Sequence, residues 1–352
     1  MDVAVDIREV ARRSGVSVAT VSRALNDRPG VSADTRARVA RVARELGYLP
    51  NLQARSLVRR RSDTVGLIWE TGYAAAGRRV LFLQDLLIGL KLALAETGYH
   101  LMLVSPEPAD EDVHAFERTA AQHSLDGVVL MGVDEHLPAV DALIRSGLPV
   151  VGLDLPVRGD RASYVSTDNR AGAAVAVRHL AALGHRRIAT IAGPADQLPA
   201  MERLAGYHDA MADLGLAVPD GYVAHGDYFL DTGHAVMRGL LALDEAPTAV
   251  FVAGDSMAVG ACRAISEAGL QVPRDVSVVG FDDVEIAAIV QPSLSTIKQD
   301  HLAMGAAAAE LLVDLITARH AGGSDGDGRT LPRLVPAALV ARESSGPAPT
   351  AR

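Results

Sequence analysis

Two hydrophobic rhythms divide the chain. At the N-terminus apolar side chains recur every three or four positions: Ile7, Val10 and Ala11, then Val21 and Leu25, then Val39, Val42, Ala43 and Leu46. That spacing marks one face of a helix. From Thr64 onward short continuous apolar runs take over, namely "VGLIW", "HLMLVS", "GVVLM", "PVVGL", "RIATIAG", "AVFVAG" and "VSVVGF". They alternate with longer helical patterns such as "AAVAVRHLAALGH". Such runs between helices predict parallel strands buried on both faces, and so a doubly wound α/β body.

Polar residues set the limits of the N-terminal helices. Asp6 caps the first, Ser17 the second and Ser32 the third, each placing a side-chain oxygen against unpaired backbone N–H groups. Gly15 supplies the tight turn after the first helix, with Val16 packing beneath it, and Gly47 ends the third. Two helices joined by a short Gly-containing turn and braced by a third predict a helix-turn-helix. In that arrangement the start of the second helix enters the major groove of DNA. Arg23 can then grip guanine O6 and N7, Ser17, Thr20 and Ser22 suit phosphates, and Val18 and Ala19 can meet thymine methyls. The competing reading is a generic three-helix bundle with a solvated arginine face.

Charge changes the picture. The 352-residue chain carries net charge −9, which argues against nucleic acid as a whole-chain average. Residues 1–61, however, hold thirteen Arg, no Lys and six acids, +7, leaving 21 basic and 37 acidic residues behind them, −16. A basic head on an acidic body points to a polyanion-binding module joined to a domain with another task. Between them lies "NLQARSLVRRR", Asn51 to Arg61, after Pro50. It is too short to be a stable helix alone, so it forms only when docked. A leucine among arginines has the chemistry of a minor-groove wedge, with Leu57 as the wedge and small Ala54 allowing close approach. Packing of Leu57 on the neighbouring domain is the alternative.

In the body, four apolar runs end at an aspartate: Asp134, Asp154, Asp255 and Asp282. Ligands of open α/β sheets bind outside the carboxyl ends of the strands. Carboxylates there accept paired hydrogen bonds from adjacent hydroxyls, as sugars offer. One such Asp is more often a helix cap; four at equivalent positions are harder to dismiss.

Catalytic signatures are thin: no G-x-G-x-x-G, no phosphate loop and no H-E-x-x-H are present. "GGSDG", residues 322–326, matches G-x-S-x-G but has no strand before it or helix after it. The eleven histidines show no metal-ligand spacing, and neither a metal, a cofactor nor an enzyme is expected. One cysteine, Cys262, excludes an intrachain disulfide and fits a reducing compartment. No apolar run reaches the roughly 18 residues of a membrane span, and the N-terminus lacks a signal-peptide core, so a cytoplasmic protein at the nucleoid is expected.

The segments "VARRSGVSVATVSRALN", "VSADTRARVARVARELGYLPNLQARSL", "LAALGHRRIATIAGP", "ERLAGYHDAM", "GDSMAVGACRAISEAGLQVPRDVSVVGFDD" and "LSTIKQD" closely resemble the LacI/GalR family of bacterial transcriptional regulators. The resemblance runs from about Asp6 to about Arg342. It implies a helix-turn-helix domain and hinge helix followed by a two-subdomain periplasmic-binding-protein-like (type I) core. It also implies a homodimer on pseudo-palindromic operator DNA, controlled by a small effector that is usually a sugar. By position it places base reading on Val18, Ala19 and Arg23, and phosphate contacts on Ser17, Thr20, Ser22 and Asn26. Ser32 joins the DNA-binding set, and the hinge leucine falls on Leu57, supported by Asn51 and Ala54. The effector-binding arginine falls on Arg203 and the aspartate after "VSVVGF" on Asp282. Asp154 and Asp255 match further cleft aspartates, and Tyr228 an aromatic that lines the pocket. Trp69, the only tryptophan, either stacks on a sugar face or belongs to the core.

The implied organisation is a DNA-binding domain over 1–49, a hinge over 50–61, a core over 62–343 and a disordered tail over 344–352. The core divides into 62–165 plus 294–322 and 166–293 plus 328–343. Crossings between subdomains are expected near Tyr164–Asp168, near Pro292–Ser295 and near the Gly-rich loop. Three features depart from the family. Gly254 stands where many members carry Asn, "ETGYAAAGRRVLFLQD" is longer than usual, and "ESSGPAPTAR" lacks tetramerising heptads. Two rivals from other classes are a transporter's solute-binding protein and an enzyme on a nucleotide-binding fold. The basic head counts against the first and the missing phosphate loop against the second. A nucleobase or phosphorylated effector is the alternative within the family, and clustered carboxylates would repel a phosphate.

Overall fold

The computed structural model describes residues 6–25, 28–48, 61–69, 83–106, 112–321 and 331–349. The chain divides into two units, Met1–Asp63 and Thr64–Arg352.

The first unit holds α1 (Ile7–Ser14), α2 (Val18–Leu25) and α3 (Ala33–Glu45). The Asp6 carboxylate accepts from the backbone N–H of Arg8 and Glu9, Ser17 Oγ from Thr20 N–H, and Ser32 Oγ from Thr35 N–H. Gly15 closes α1 at φ 66°, a conformation that would strain a residue bearing a Cβ. Val10, Val21 and Val39, one from each helix, are fully buried at the centre. Asn26 and the hinge positions Asn51, Ala54 and Leu57 lie outside the described residues.

The second unit begins with β1 (Thr64–Trp69), α4 (Leu83–Glu96), β2 (His100–Val104), α5 (Ala115–Gln122), β3 (Gly127–Met131), α6 (Pro138–Arg145), β4 (Val150–Leu153) and β5 (Ala162–Thr167). Next come α7 (Asn169–Ala182), β6 (Ile188–Ala192), α8 (Leu198–Asp213), β7 (Val223–His225), α9 (Leu230–Leu241), β8 (Ala249–Val252), α10 (Asp255–Glu267), β9 (Ser277–Asp282) and α11 (Glu285–Ile289). β10 (Ser295–Lys298), α12 (His301–Ala321), β11 (Arg333–Val335) and β12 (Ala338–Val340) complete it.

Two six-stranded sheets result, ordered β11-β5-β4-β3-β1-β2 and β12-β10-β9-β8-β6-β7, parallel throughout except for β10 with β12. Alternate residues of the apolar runs serve opposite faces. Val129 and Met131 pack toward α4 and α12, and Val128 and Leu130 toward α5 and α6. β8 divides likewise, Val250 and Val252 to one face, Ala249 and Phe251 to the other. α4 and α12 cross so closely that a Cβ on Gly89 would lie 2.0 Å from the Leu302 carbonyl oxygen.

The chain crosses between sheets three times; the first crossing follows Thr167, within the expected Tyr164–Asp168, and the other two differ from the sequence reading. β10 pairs with β9 in the second sheet, so the second crossing follows Lys298 rather than Pro292–Ser295. After the Gly-rich stretch β11 first joins β5, and only β12 returns to the second sheet. β10 mixes polar with apolar side chains, and β11 and β12 span only three residues each, so none of them writes a legible apolar run.

Two further expectations are corrected. The segment from 344 is not a free tail over its described part. Ser344 is fully buried and donates to Val278 O, and Ala348 N–H bonds Leu183 O. His185, also fully buried, lies 3.1 Å from Gly346 O. In addition, His301–Arg319 does reach the length and apolarity of a membrane span, with mean hydropathy 1.4 over the window. Half of that window is buried, because α12 is the helix under the first sheet.

Candidate functional site

A cleft of about 500 Å³ opens between the two sheets, lined from their carboxyl ends. Asp134 follows β3 and Asp154 follows β4; Asp196, Tyr228, Gly254 and Gln299 follow β6, β7, β8 and β10, and Asp282 is the last residue of β9. The volume falls in the usual range for a small-molecule site, about 300–1,000 Å³. Three non-glycine lining residues hold positive φ: Asp154 at 53°, Tyr228 at 69° and Asp282 at 119°. Such backbone strain in non-glycine residues collects at ligand clamps.

Arg203, on α8, sits at the floor and is 4% exposed. Its Nε donates to Asn169 Oδ1 at 2.8 Å and its Nη1 to Ala253 O at 2.6 Å. Its guanidinium carbon lies 3.8 Å from the Phe281 ring centroid and its Nη1 lies 3.6 Å from Asp282 Oδ1. The charge is held rigid before any ligand arrives, the arrangement in which a bidentate donor is most selective.

Asp282 accepts from Gln299 Nε2 at 2.6 Å. Burial pushes its carboxyl up to about 6, while Arg203 and Gln299 pull the other way and Asp154 adds to the rise. Asp154 accepts from Ser166 Oγ at 2.7 Å, and burial raises its carboxyl above the ordinary range too. His301, the first residue of α12, is driven down to about 4 by burial and by nearby Arg203, so its ring is neutral. A neutral imidazole carries one donor and one acceptor nitrogen, and the ring lines the cleft. Six carboxylates (Asp134, Glu135, Asp154, Asp196, Asp227 and Asp282) line the cleft against one guanidinium among the described residues. That balance disfavours anions and suits hydroxyl donors.

Of the six effector-site residues read from the sequence, the cleft brings together Asp154, Arg203, Tyr228 and Asp282. Asp255 is a correction: it is fully buried and does not line the cleft. Its two oxygens are engaged by Thr296 Oγ1 at 2.6 Å and Val284 N–H at 3.0 Å, fastening α10 to β10 and the turn after β9. Burial, with Asp282 nearby, holds its carboxyl well above the usual value. Of the two readings of Trp69, the structure takes the core one: it packs against the core beneath the first sheet and is absent from the described lining. Gln299 and His301 were not assigned from sequence. Gln299 lay within the quoted "LSTIKQD", whereas nothing marks His301 among eleven histidines.

On the N-terminal unit, Val18 is 41% exposed, and Ala19 and Arg23 are exposed beside it on α2. Thr20 and Ser22 are half-buried, and Ser17 Oγ and Thr20 Oγ1 hydrogen-bond at 2.9 Å. The cap is thus built by two hydroxyls, while the apolar and guanidinium groups face solvent. Ser32 is exposed, with its oxygen at work capping α3.

Residues 6–51 match the model for bacterial regulatory proteins of the lacI family, and 177–345 that for a periplasmic binding protein-like domain. The transcriptional regulator CelR of Thermobifida fusca is 40% identical over 316 residues, covering 88% of this chain and 91% of that one. The ribose operon repressor of Escherichia coli is 36% identical over 313 residues, covering 88% and 93%. Among solved structures, the lac repressor dimer bound to operator and anti-inducer aligns with TM-score 0.79 at 29% identity, over 98% of this chain and all of that one. The CelR–cellobiose complex aligns with TM-score 0.71 at 34% identity, over 97% and 99%.

Proposed function

Because the chain belongs to the LacI family of bacterial regulatory proteins, we propose that it is a transcriptional repressor whose grip on operator DNA is set by a neutral sugar held in the cleft. One observation carries the effector reading. A preorganised Arg203 meets Asp282, Asp154, Gln299 and neutral His301 inside an otherwise acidic cavity. A phosphorylated ligand would face six carboxylates there; a polyol donates to them. Similarity to a regulator solved with cellobiose and to a ribose operon repressor supports the same class.

On the DNA side, Val18, Ala19 and Arg23 read base edges and Ser17, Thr20, Ser22, Asn26 and Ser32 lie at or near the backbone. Asn51, Ala54 and Leu57 form the hinge that enters the minor groove. The active species is a homodimer in the cytoplasm, bound to a pseudo-palindromic site, as similarity to an operator-bound dimer supports. It is not an enzyme: the cleft carboxylates orient hydroxyls and move no proton. The effector binds one arrangement of the two sheets more tightly and shifts its population. The coupling is reciprocal, so operator changes effector affinity by the factor that effector changes operator affinity.

The test joins a thermal-shift screen of the full chain against a sugar library to fluorescence-anisotropy titration of genomic fragments. A stabilising sugar that alters affinity for one fragment over bulk competitor is the expected result. No fragment preference, with or without sugar, would overturn the reading.

A further inference from the structure

Gly193 and Gly254 face the same aromatic ring. A Cβ on Gly193 would lie 2.4 Å from Cζ and 2.5 Å from the hydroxyl oxygen of Tyr228; one on Gly254 would lie 3.2 Å from its Cδ1. Neither glycine is needed for its backbone. Gly254 is extended at φ −172°, which any residue adopts, and Gly193 is not left-handed. What both positions lack is a side chain, and the ring takes the space. Tyr228 in turn holds φ 69°, which a bulky aromatic adopts only where its surroundings impose it. From Gly254 the same Cβ would lie 3.7 Å from Asp282 Oδ2, so ring and carboxylate flank one glycine.

Building on the sugar reading above, we propose that Gly254 and Tyr228 act as one specificity-determining pair. The absent side chain at 254 admits the ring beside Asp282, and the wall so formed selects a neutral pyranose whose hydroxyls are all equatorial. An equatorial sugar shows C–H faces, which pack on an aromatic ring, and spreads its hydroxyls around its edge. Asp154, Asp282, Gln299 and His301 line the same cleft as Tyr228 and are the polar groups such an edge would meet. An axial hydroxyl on the ring-facing side would be driven against Tyr228 and lose its hydrogen bond.

The test is calorimetric titration of the full chain with β-1,4-linked glucose, galactose and mannose disaccharides. Wild type is expected to bind the glucose form at least about tenfold more tightly than either epimer. Tyr228→Phe keeps that preference and Tyr228→Ala abolishes it. Gly254→Ala, whose Cβ would crowd the ring at 3.2 Å, weakens the glucose form severalfold, yet adds nothing in a Tyr228→Ala background. Equal affinities in wild type, or additive losses in the double variant, overturn the pair while the sugar reading stands. Operator binding intact with none of these three bound overturns the pair, and with no member of the sugar library bound it overturns the sugar reading as well. Should Tyr228→Ala not fold, as judged by its melting curve, wild-type selectivity and Gly254→Ala still decide.

Discussion

The Thr167 hydroxyl donates to the side-chain oxygen of Gln299 across 2.5 Å, joining the first and second crossings between the sheets, 132 residues apart in the chain. From there the bonds form a ring. Gln299 Nε2 reaches Asp282, Asp282 faces Arg203, Arg203 reaches Asn169, and Asn169 Nδ2 returns to Thr167 O at 3.1 Å. Two members, Arg203 and Asp282, line the cleft beside Gln299 itself. Cleft and crossings therefore share one polar network, and a ligand that pulls on Asp282 pulls on the joint between the sheets.

Thr167→Val keeps the shape and removes the donor, leaving the Gln299 oxygen short of a partner in a buried place. A loss of about 1–3 kcal/mol in stability is expected from thermal or urea unfolding. Gln299→Leu should lower effector affinity as well. The double variant should show a coupling of about 0.5–3 kcal/mol in effector binding; strict additivity would show that ring and ligand are independent.

Arg203 is buried with Asp282, so Arg203→Ala strands a carboxylate. Breaking such a pair costs about 3–5 kcal/mol, read as a lowered melting temperature together with loss of effector response. Arg203→Lys should rescue the charge but not the fork that bonds Asn169 and Ala253 at once, and effector affinity should stay low.

Effector affinity should fall on acidification. Hydroxyls donated to Asp282 favour its ionised form, and its carboxyl is raised to about 6. Affinity should therefore drop as pH goes from 7 to 5, and Asp282→Asn should flatten the profile. Stability of the unliganded protein carries two opposed contributions. A folded carboxyl raised from 3.8 to about 6 binds more protons than its unfolded counterpart, so its contribution is greatest at low pH and is lost as pH rises through that window. His301, lowered from 6.5 to about 4, contributes in the opposite sense: its share is present above 6.5 and is lost as pH falls toward 4. His301→Gln should remove that acid-side loss in melting curves taken from pH 4 to 7.

On DNA, Arg23→Ala should cost about 1–3 kcal/mol at the cognate site and relax specificity at one base pair. An equal loss on random DNA would refute base reading. Leu57→Ala should reduce operator bending in a cyclisation assay and spare effector affinity.

Much of this molecule is written locally. The seven apolar runs that stand between helical patterns became β1, β2, β3, β4, β6, β8 and β9, because a parallel strand buried on both faces has no polar side to show. Asp6, Ser17, Ser32 and Gly15 fixed helix ends through bonds within a few residues of themselves, which is why their roles are visible without a fold. β5 and the short strands β7, β10, β11 and β12 were not read as strands; sheet partners rather than apolar patterning complete them.

Aspartates at strand ends marked where a ligand site would lie, but four equivalent positions in the sequence are not equivalent in space. Asp154 and Asp282 face the cleft, while Asp255 turns into the protein to hold Thr296 and Val284. Which way a carboxylate turns depends on donors brought from distant parts of the chain, and no local pattern records them. The same holds for His301, for the Thr167–Gln299 bond, and for the approach of two glycines to the ring of Tyr228. The sequence by itself determined the elements, the basic head and the edge of the sheets that carries the site. Only tertiary structure decided which side chains meet there, because burial and hydrogen-bond partners 12 to 132 residues away set each group's orientation and charge.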